Sequence, residues 1–131
     1  MPLLKTAVVR SYRDLIAWQK SMALVTAIYT CTREFPKTEL YGLAAQLRRA
    51  AVSVPSNIAE GQGRDSDKSF AQFLNQAQGS LYELETQVEL ARNLGMIPEQ
   101  GAKGLLTEAA EIGRMLHGLR STLRRDAAPT G

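Results

Sequence analysis

Apolar residues along this chain recur at alternating intervals of three and four in four separate segments, the spacing that gathers side chains on one face of an α-helix. The first segment runs from Asp14, a suitable N-cap, through Leu15, Trp18, Met22, Val25 and Tyr29 to the boundary at Phe35 and Pro36. The second begins after Thr38 and carries Leu40, Leu43, Leu47, Ala51, Val54 and Ile58 on one stripe, with Gly61 and Gly63 closing it. A Ser66 cap precedes the third, which places Phe70, Phe73 or Leu74, Ala77, Leu81, Leu84, Val88 and Ala91 in line. This segment is long enough to span roughly 40 Å at about 1.5 Å per residue, and Gly95 stands where a helix C-terminus favours a left-handed residue. Pro98 suits the opening turn of the fourth, where Leu105, Ala109, Ile112, Leu116, Leu119 and Leu123 continue to the basic end at Arg124 and Arg125. No segment alternates with period two over β-branched residues, so no sheet is expected.

Four amphipathic helices joined by short connections predict an all-α fold, an antiparallel up-down-up-down four-helix bundle with crossing angles near 20°. The expected division is an N-terminal extension over 1–13, the bundle over 14–126 and a frayed tail over 127–131. Helix four carries Gly101, Gly104, Gly113 and Gly118, each costing about 1 kcal/mol against alanine, so packing or a close neighbouring backbone must hold it. Ile16, Leu24, Tyr82, Leu106 and Met115 fall off the main stripes. They read either as single surface residues or as a surface for self-association.

One stretch interrupts the apolar pattern: Ser53-Val54-Pro55-Ser56-Asn57-Ile58-Ala59-Glu60-Gly61-Gln62-Gly63-Arg64. Pro55 removes the amide that would bond to the carbonyl of Ala51, so helix two is expected to bend there. Ser53, Asn57, Glu60 and Arg64 follow one another at intervals of four, three and four, which forms a polar seam one residue's rotation from the Val54 and Ile58 stripe. The seam reads as a device that fixes the bend and the turn into helix three, with Glu60 and Arg64 an i,i+4 pair. Gln72, Gln76, Gly79 and Glu83 repeat that spacing on helix three, with Ser80 beside Gly79. A buried match between the two seams would set how helices or subunits register.

Composition adds constraints. The chain has 131 residues, 44% of them apolar and 6% aromatic, which fits one domain. Cys31 is the only cysteine, so no internal disulfide, zinc ribbon or redox pair is expected, and a cytoplasmic location follows most simply. Apolar runs are too short for a membrane span or for the core of a signal peptide. No catalytic, metal or cofactor site is expected. Di-iron bundle enzymes need Glu-x-x-His pairs, whereas the single histidine, His117, follows Arg114 by three residues. Gly61-Gln62-Gly63 has neither a preceding strand nor a following Lys-Ser/Thr pair, so it is no phosphate loop. Glu83, Glu85 and Glu89 lack a paired base and read as a solvated face.

The net charge is +3 and is unevenly placed. Residues 37–64 set Lys37, Arg48, Arg49 and Arg64 against Glu39 and Glu60, and residues 111–126 set Arg114, Arg120, Arg124 and Arg125 against Glu111 and Asp126. Arginines at the end of helix four also suit its macrodipole. Repeated around an oligomer, these clusters form a basic surface able to hold a phosphate backbone without reading sequence. Arg48, Arg49, Arg64, Arg120, Arg124 and Arg125 are the candidate nucleic-acid contacts.

Several of these motifs occur together in a known family. Asp14-Leu15 with Trp18-Gln19, the run Ser53 to Gly61 with Gly63-Arg64, and Phe70-x-x-Phe73-Leu74 with Ala77-x-Gly79-Ser80-x-x-Glu83-Leu84 resemble the four-helix-bundle proteins encoded in intervening sequences of bacterial 23S ribosomal RNA genes. The resemblance is detailed from Asp14 to Ile97 and extends to helix four in pattern only. It implies a closed bundle that assembles as a homopentamer. It also implies kinship with the accessory protein of diversity-generating retroelements, which binds a reverse transcriptase and nucleic acid. Two readings follow. In one, the protein is a non-enzymatic homo-oligomer that binds RNA or a nucleic-acid enzyme through basic patches. In the other, it is a structural or protein-interaction module whose seam only orders the assembly.

Overall fold

The computed structural model of this protein describes residues 9–127, with side chains through residue 124. The tail over 128–131 and the first eight residues of the expected extension lie outside the described residues. Four helices carry the fold: α1 Ile16–Thr32, α2 Leu43–Gln62, α3 Asp67–Asn93 and α4 Glu99–Ala127. Short 3-10 turns at Tyr12–Asp14 and Lys37–Glu39 precede α1 and α2, and no strand occurs among the described residues. The architecture is all-α, as the spacing predicts.

Each helix packs against its neighbours in a ring, α1 on α2, α2 on α3, α3 on α4 and α4 back on α1, while the diagonal pairs stay apart across the core. Paired residues run in opposite senses. Along α2 and α3, Gln46 meets Gln87, Ser53 meets Ser80 and Gly61 meets Phe73. Along α3 and α4, Arg92 meets Glu99, Gln78 meets Gly113 and Asn75 meets Arg120. Lys20 and Glu111 link α1 to α4 across 3.4 Å.

The core is built from aliphatic residues and alanine. Leu47, Ala51, Val54 and Ile58 of α2 meet Leu74, Ala77, Leu81, Leu84 and Val88 of α3, with Leu105, Ala109, Ile112 and Leu116 of α4 behind them. On α1 the buried stripe is Ala17, Ser21, Leu24, Ile28 and Thr32, not the expected Trp18, Met22, Val25 and Tyr29. Each buried residue from 17 to 28 sits one position before its predicted counterpart, a rotation of about 100°. The spacing weighs bulky residues as core and hydroxyls as surface, yet here the hydroxyls bury at little cost. Ser21 donates to the Ala17 carbonyl at 2.6 Å and Thr32 donates to the Ile28 carbonyl at 2.7 Å, so neither carries an unpaired group inward. Leu24, expected off the stripe, is 1% exposed. Leu106 and Met115 are half-buried against the core, which leaves Ile16 and Tyr82 as the exposed members of the off-stripe set.

Helix boundaries also differ in detail. Asp14 closes a capping box with Ser11 on the 3-10 turn, and Leu15 stands at the N-cap of α1. That turn is held against the helix by Trp18, whose ring meets Tyr12 edge-on at 5.1 Å while the Arg13 guanidinium lies over both. α2 starts at Leu43, so Leu40 lies in the connection and is exposed. Its first free amide is capped by the Glu39 carboxylate, which accepts from the Leu43 N–H at 3.0 Å. Ser66 caps α3 by accepting from the Ser69 amide at 3.1 Å. Gly95 has a φ of 75° at the end of α3, the left-handed conformation expected there.

α2 continues as helix through Pro55, which is buried, and through Gly61. Gly63 is the C-cap, so the glycine pair closes the helix as expected, and Gly61 stands inside the last turn. It brings α2 close to α3: a Cβ at that position would stand 2.6 Å from the Phe73 Cβ and 3.0 Å from the Phe70 ring. Gly104, in contrast, faces open space. Gly61→Ala is expected to cost about 1–3 kcal/mol in urea unfolding through overpacking. Gly104→Ala is expected to gain up to about 1 kcal/mol from helix propensity in the same measurement.

Candidate nucleic-acid interface

The polar seam of α2 divides into two halves. Ser53 and Asn57 are half-buried against α3, where the Ser53 hydroxyl lies 2.8 Å from the Ser80 hydroxyl. The Asn57 amide donates to the Ser53 carbonyl at 2.8 Å and to its hydroxyl at 3.0 Å. Glu60 and Arg64 are exposed and paired at 2.9 Å, and the Arg64 guanidinium stacks 4.8 Å from the Phe73 ring centre. A second polar pairing lies toward the other end of the interface, where the Gln87 amide reaches both Gln46 and Glu83 at 3.4 Å. Two separated polar pairings on one helix interface fix register, because sliding α2 by one turn would leave both unmatched.

The candidate arginines part company in space. Arg48 donates from Nε to the Thr32 hydroxyl at 2.8 Å and lies 4.7 Å over the Tyr29 ring, which ties α2 to the end of α1. Arg49, next to it, is exposed. Arg64 is occupied by Glu60 and Phe73. Arg120 and Arg124 come together, while the Arg125 side chain lies outside the described residues.

Arg120 and Arg124 line a furrow between α3 and α4 that sequence spacing does not single out. It widens to about 640 Å³ beside Asp67, Lys68, Gln72, Asn75, Arg120 and Arg124. It widens again to about 470 Å³ beside Gln78, Tyr82, Glu85, Gly113, Arg114 and His117. The two widenings are neighbours along α4, where a terminal nitrogen of Arg120, from the first, approaches Nδ1 of His117, from the second, at 3.4 Å. Lys68, Arg114, Arg120 and Arg124 thus line the same helix pair, with Asp67 and Glu85 as the carboxylates among the described lining residues. Asn75 accepts from Arg120 at 2.9 Å and orients its guanidinium, whose buried Nε has no hydrogen-bond partner among the described residues. Lys68 escapes sequence reasoning because α3 as a whole is acidic, and His117 because a lone histidine signals no metal site; Arg114 belongs to the basic segment 111–126 but not to the candidate contacts. The available signal is the helical spacing of Lys68, Gln72, Asn75, Gln78, Tyr82 and Glu85 on α3.

The other titratable groups indicate little reactivity. Burial pushes the Cys31 thiol above its usual value and away from the thiolate form. Burial, and then the charge of Glu89, push the Glu85 carboxyl upward. No cluster of three or more metal-ligating side chains occurs among the described residues, and no described helix is long and apolar enough to cross a membrane.

The chain matches the 23S rRNA-intervening sequence protein family over residues 13–118. It belongs to that family. Among solved structures, this family member is similar to a protein of unknown function from the S23 ribosomal protein family of Bacteroides thetaiotaomicron. The TM-score is 0.73 at 21% identity, covering 80% of this chain and 98% of that one. At that identity the likeness shows the shared four-helix fold. No curated protein matches the chain in sequence.

Two outcomes follow for this family member. A double-mutant cycle on Ser53→Ala and Ser80→Ala is expected to give a coupling energy of about 0.5–1.5 kcal/mol in equilibrium unfolding. A carboxyl raised in the folded state binds more protons there than when unfolded, so its ionisation lowers stability as pH climbs out of the ordinary carboxylate range. Glu85→Gln is therefore expected to raise the melting temperature slightly at pH 7, with the gain shrinking toward pH 4 in thermal scans.

Proposed function

We propose that this 23S rRNA-intervening sequence protein is a non-enzymatic, cytoplasmic homo-oligomer that binds RNA along the furrow between α3 and α4. The observation that carries the reading is the placement of Lys68, Arg114, Arg120 and Arg124 along the α3/α4 furrow, where Asp67 and Glu85 are the carboxylates among the described lining residues. Cations arrayed along a groove attract a phosphate backbone and release its counterions, a mode that needs no base-specific contact. The modest net charge of +3 does not oppose this, because the negative charge lies largely elsewhere on the surface. Glu89 is paired with Arg92, Glu60 with Arg64 and Glu111 with Lys20.

Arg48 and Arg64 enter this reading as structural residues, since stacking and pairing already occupy them. The homo-oligomer draws on α1, whose Met22 and Tyr29 are 43% and 39% exposed beside half-buried Trp18 and Val25. An apolar stripe on that helix is the surface a second copy would cover. If the furrow held no RNA, this stripe would leave the protein an interaction module alone.

Binding of RNA at low ionic strength is expected to weaken linearly in log affinity as salt rises. Lys68→Glu combined with Arg124→Glu should abolish binding, and Arg49→Glu should leave it largely intact. Filter-binding or fluorescence titrations would measure both. Salt-insensitive or absent binding by the unmutated protein would overturn the reading.

A further inference from the structure

We infer that the wider α3/α4 furrow takes a single strand of RNA, with a base stacked on Tyr82 beside the Gln78 amide. The inference rests on the RNA-binding reading above and adds the form of the nucleic acid. Along the furrow the lining changes character. Around Asn75 it is cationic, with Lys68, Arg120 and Arg124. Around Gln78 it gains an aromatic ring and a buried amide, Tyr82 and Gln78, beside Glu85, His117 and a single arginine, Arg114. Phosphates suit the first part and an unpaired base suits the second.

Tyr82 is 59% exposed on an otherwise polar stretch of α3 and packs into no core. An exposed ring beside a basic groove is the usual platform on which a base stacks, and every base offers a face to it. Gln78 supplies a second, independent sign. Its residue is only 6% exposed, yet its Oε1 is buried with no hydrogen-bond partner among the described residues. A buried acceptor left unmatched is costly, and a donor on a base edge would satisfy it. Opposite, Gly113 keeps the wall low: a Cβ there would stand 3.2 Å from the Gln78 amide nitrogen and 3.4 Å from Leu81. Glu85, at the far end, adds a carboxylate that can accept from an amino group on a base edge.

A duplex cannot use this part of the furrow, because its bases are paired and stacked on one another. Single strands splay their bases onto side chains and lay their phosphates along cations. Arg114 and His117 line the second part with Tyr82 and would face a phosphate flanking the stacked base.

Affinities for a short single-stranded RNA and for a duplex of equal length, measured by fluorescence anisotropy across salt, test the inference. The single strand is expected to bind more tightly. Tyr82→Ala should weaken it roughly tenfold with the salt slope unchanged, and Tyr82→Phe should restore most of the affinity. Equal affinities for the two RNAs, together with an unaffected Tyr82→Ala, would overturn the single-strand inference while leaving RNA binding intact. Failure of the unmutated protein to bind either RNA at low salt would remove both.

Discussion

The close approach of α2 to α3 at Gly61 is the constraint on which the rest of the bundle depends. With no side chain there, the α2 backbone lies against Phe70 and Phe73, and the two helices can leave the turn between Gln62 and Asp67 nearly in contact. From that point the register of the interface is set, so Ser53 arrives opposite Ser80 and Gln46 opposite Gln87. Alanine at positions 50, 51 and 77 maintains the proximity along the shared face. α4 then packs on the other side of α3, and the furrow is the surface trace of that packing.

The stretch from Ser53 to Arg64 serves this geometry. Its Ser53 reaches Ser80 across the interface while Asn57 braces Ser53 within α2, its Gly61 allows the helices to meet, and its Arg64 covers a phenylalanine ring. The proposed binding face lies elsewhere, between α3 and α4. The structural motif and that face thus share α3 alone and use different sides of it.

Much of this was readable from spacing. The stripes of α3 and α4 were legible because their core positions are uniformly aliphatic or alanine, and the cap at Ser66 and the left-handed Gly95 followed from residue type. α1 was not. Its inward face carries Ser21 and Thr32, which satisfy their hydroxyls within the helix, while its outward face carries Trp18, Met22 and Tyr29. Periodicity ranks those two faces in the wrong order because it scores hydrophobicity and not the local fate of a hydroxyl. The basic cluster was legible only in part: Arg120 and Arg124 were identifiable on α4, but their partner Lys68 lies 52 positions upstream on a helix of opposite net charge. Proximity of that kind comes from the fold. Arg48 reads as available in one dimension and is held by Thr32 and Tyr29 in three, whereas the pairing of Arg64 with Glu60 is legible from its i,i+4 spacing.

α1 is the shortest of the four helices, at 17 residues, and its seam with α4 is the smallest of the four in the ring. Local opening is therefore expected to start where α1 leaves α4, the smallest joint of the ring. The furrow belongs entirely to α3 and α4, so an opening of that kind would leave its walls in place.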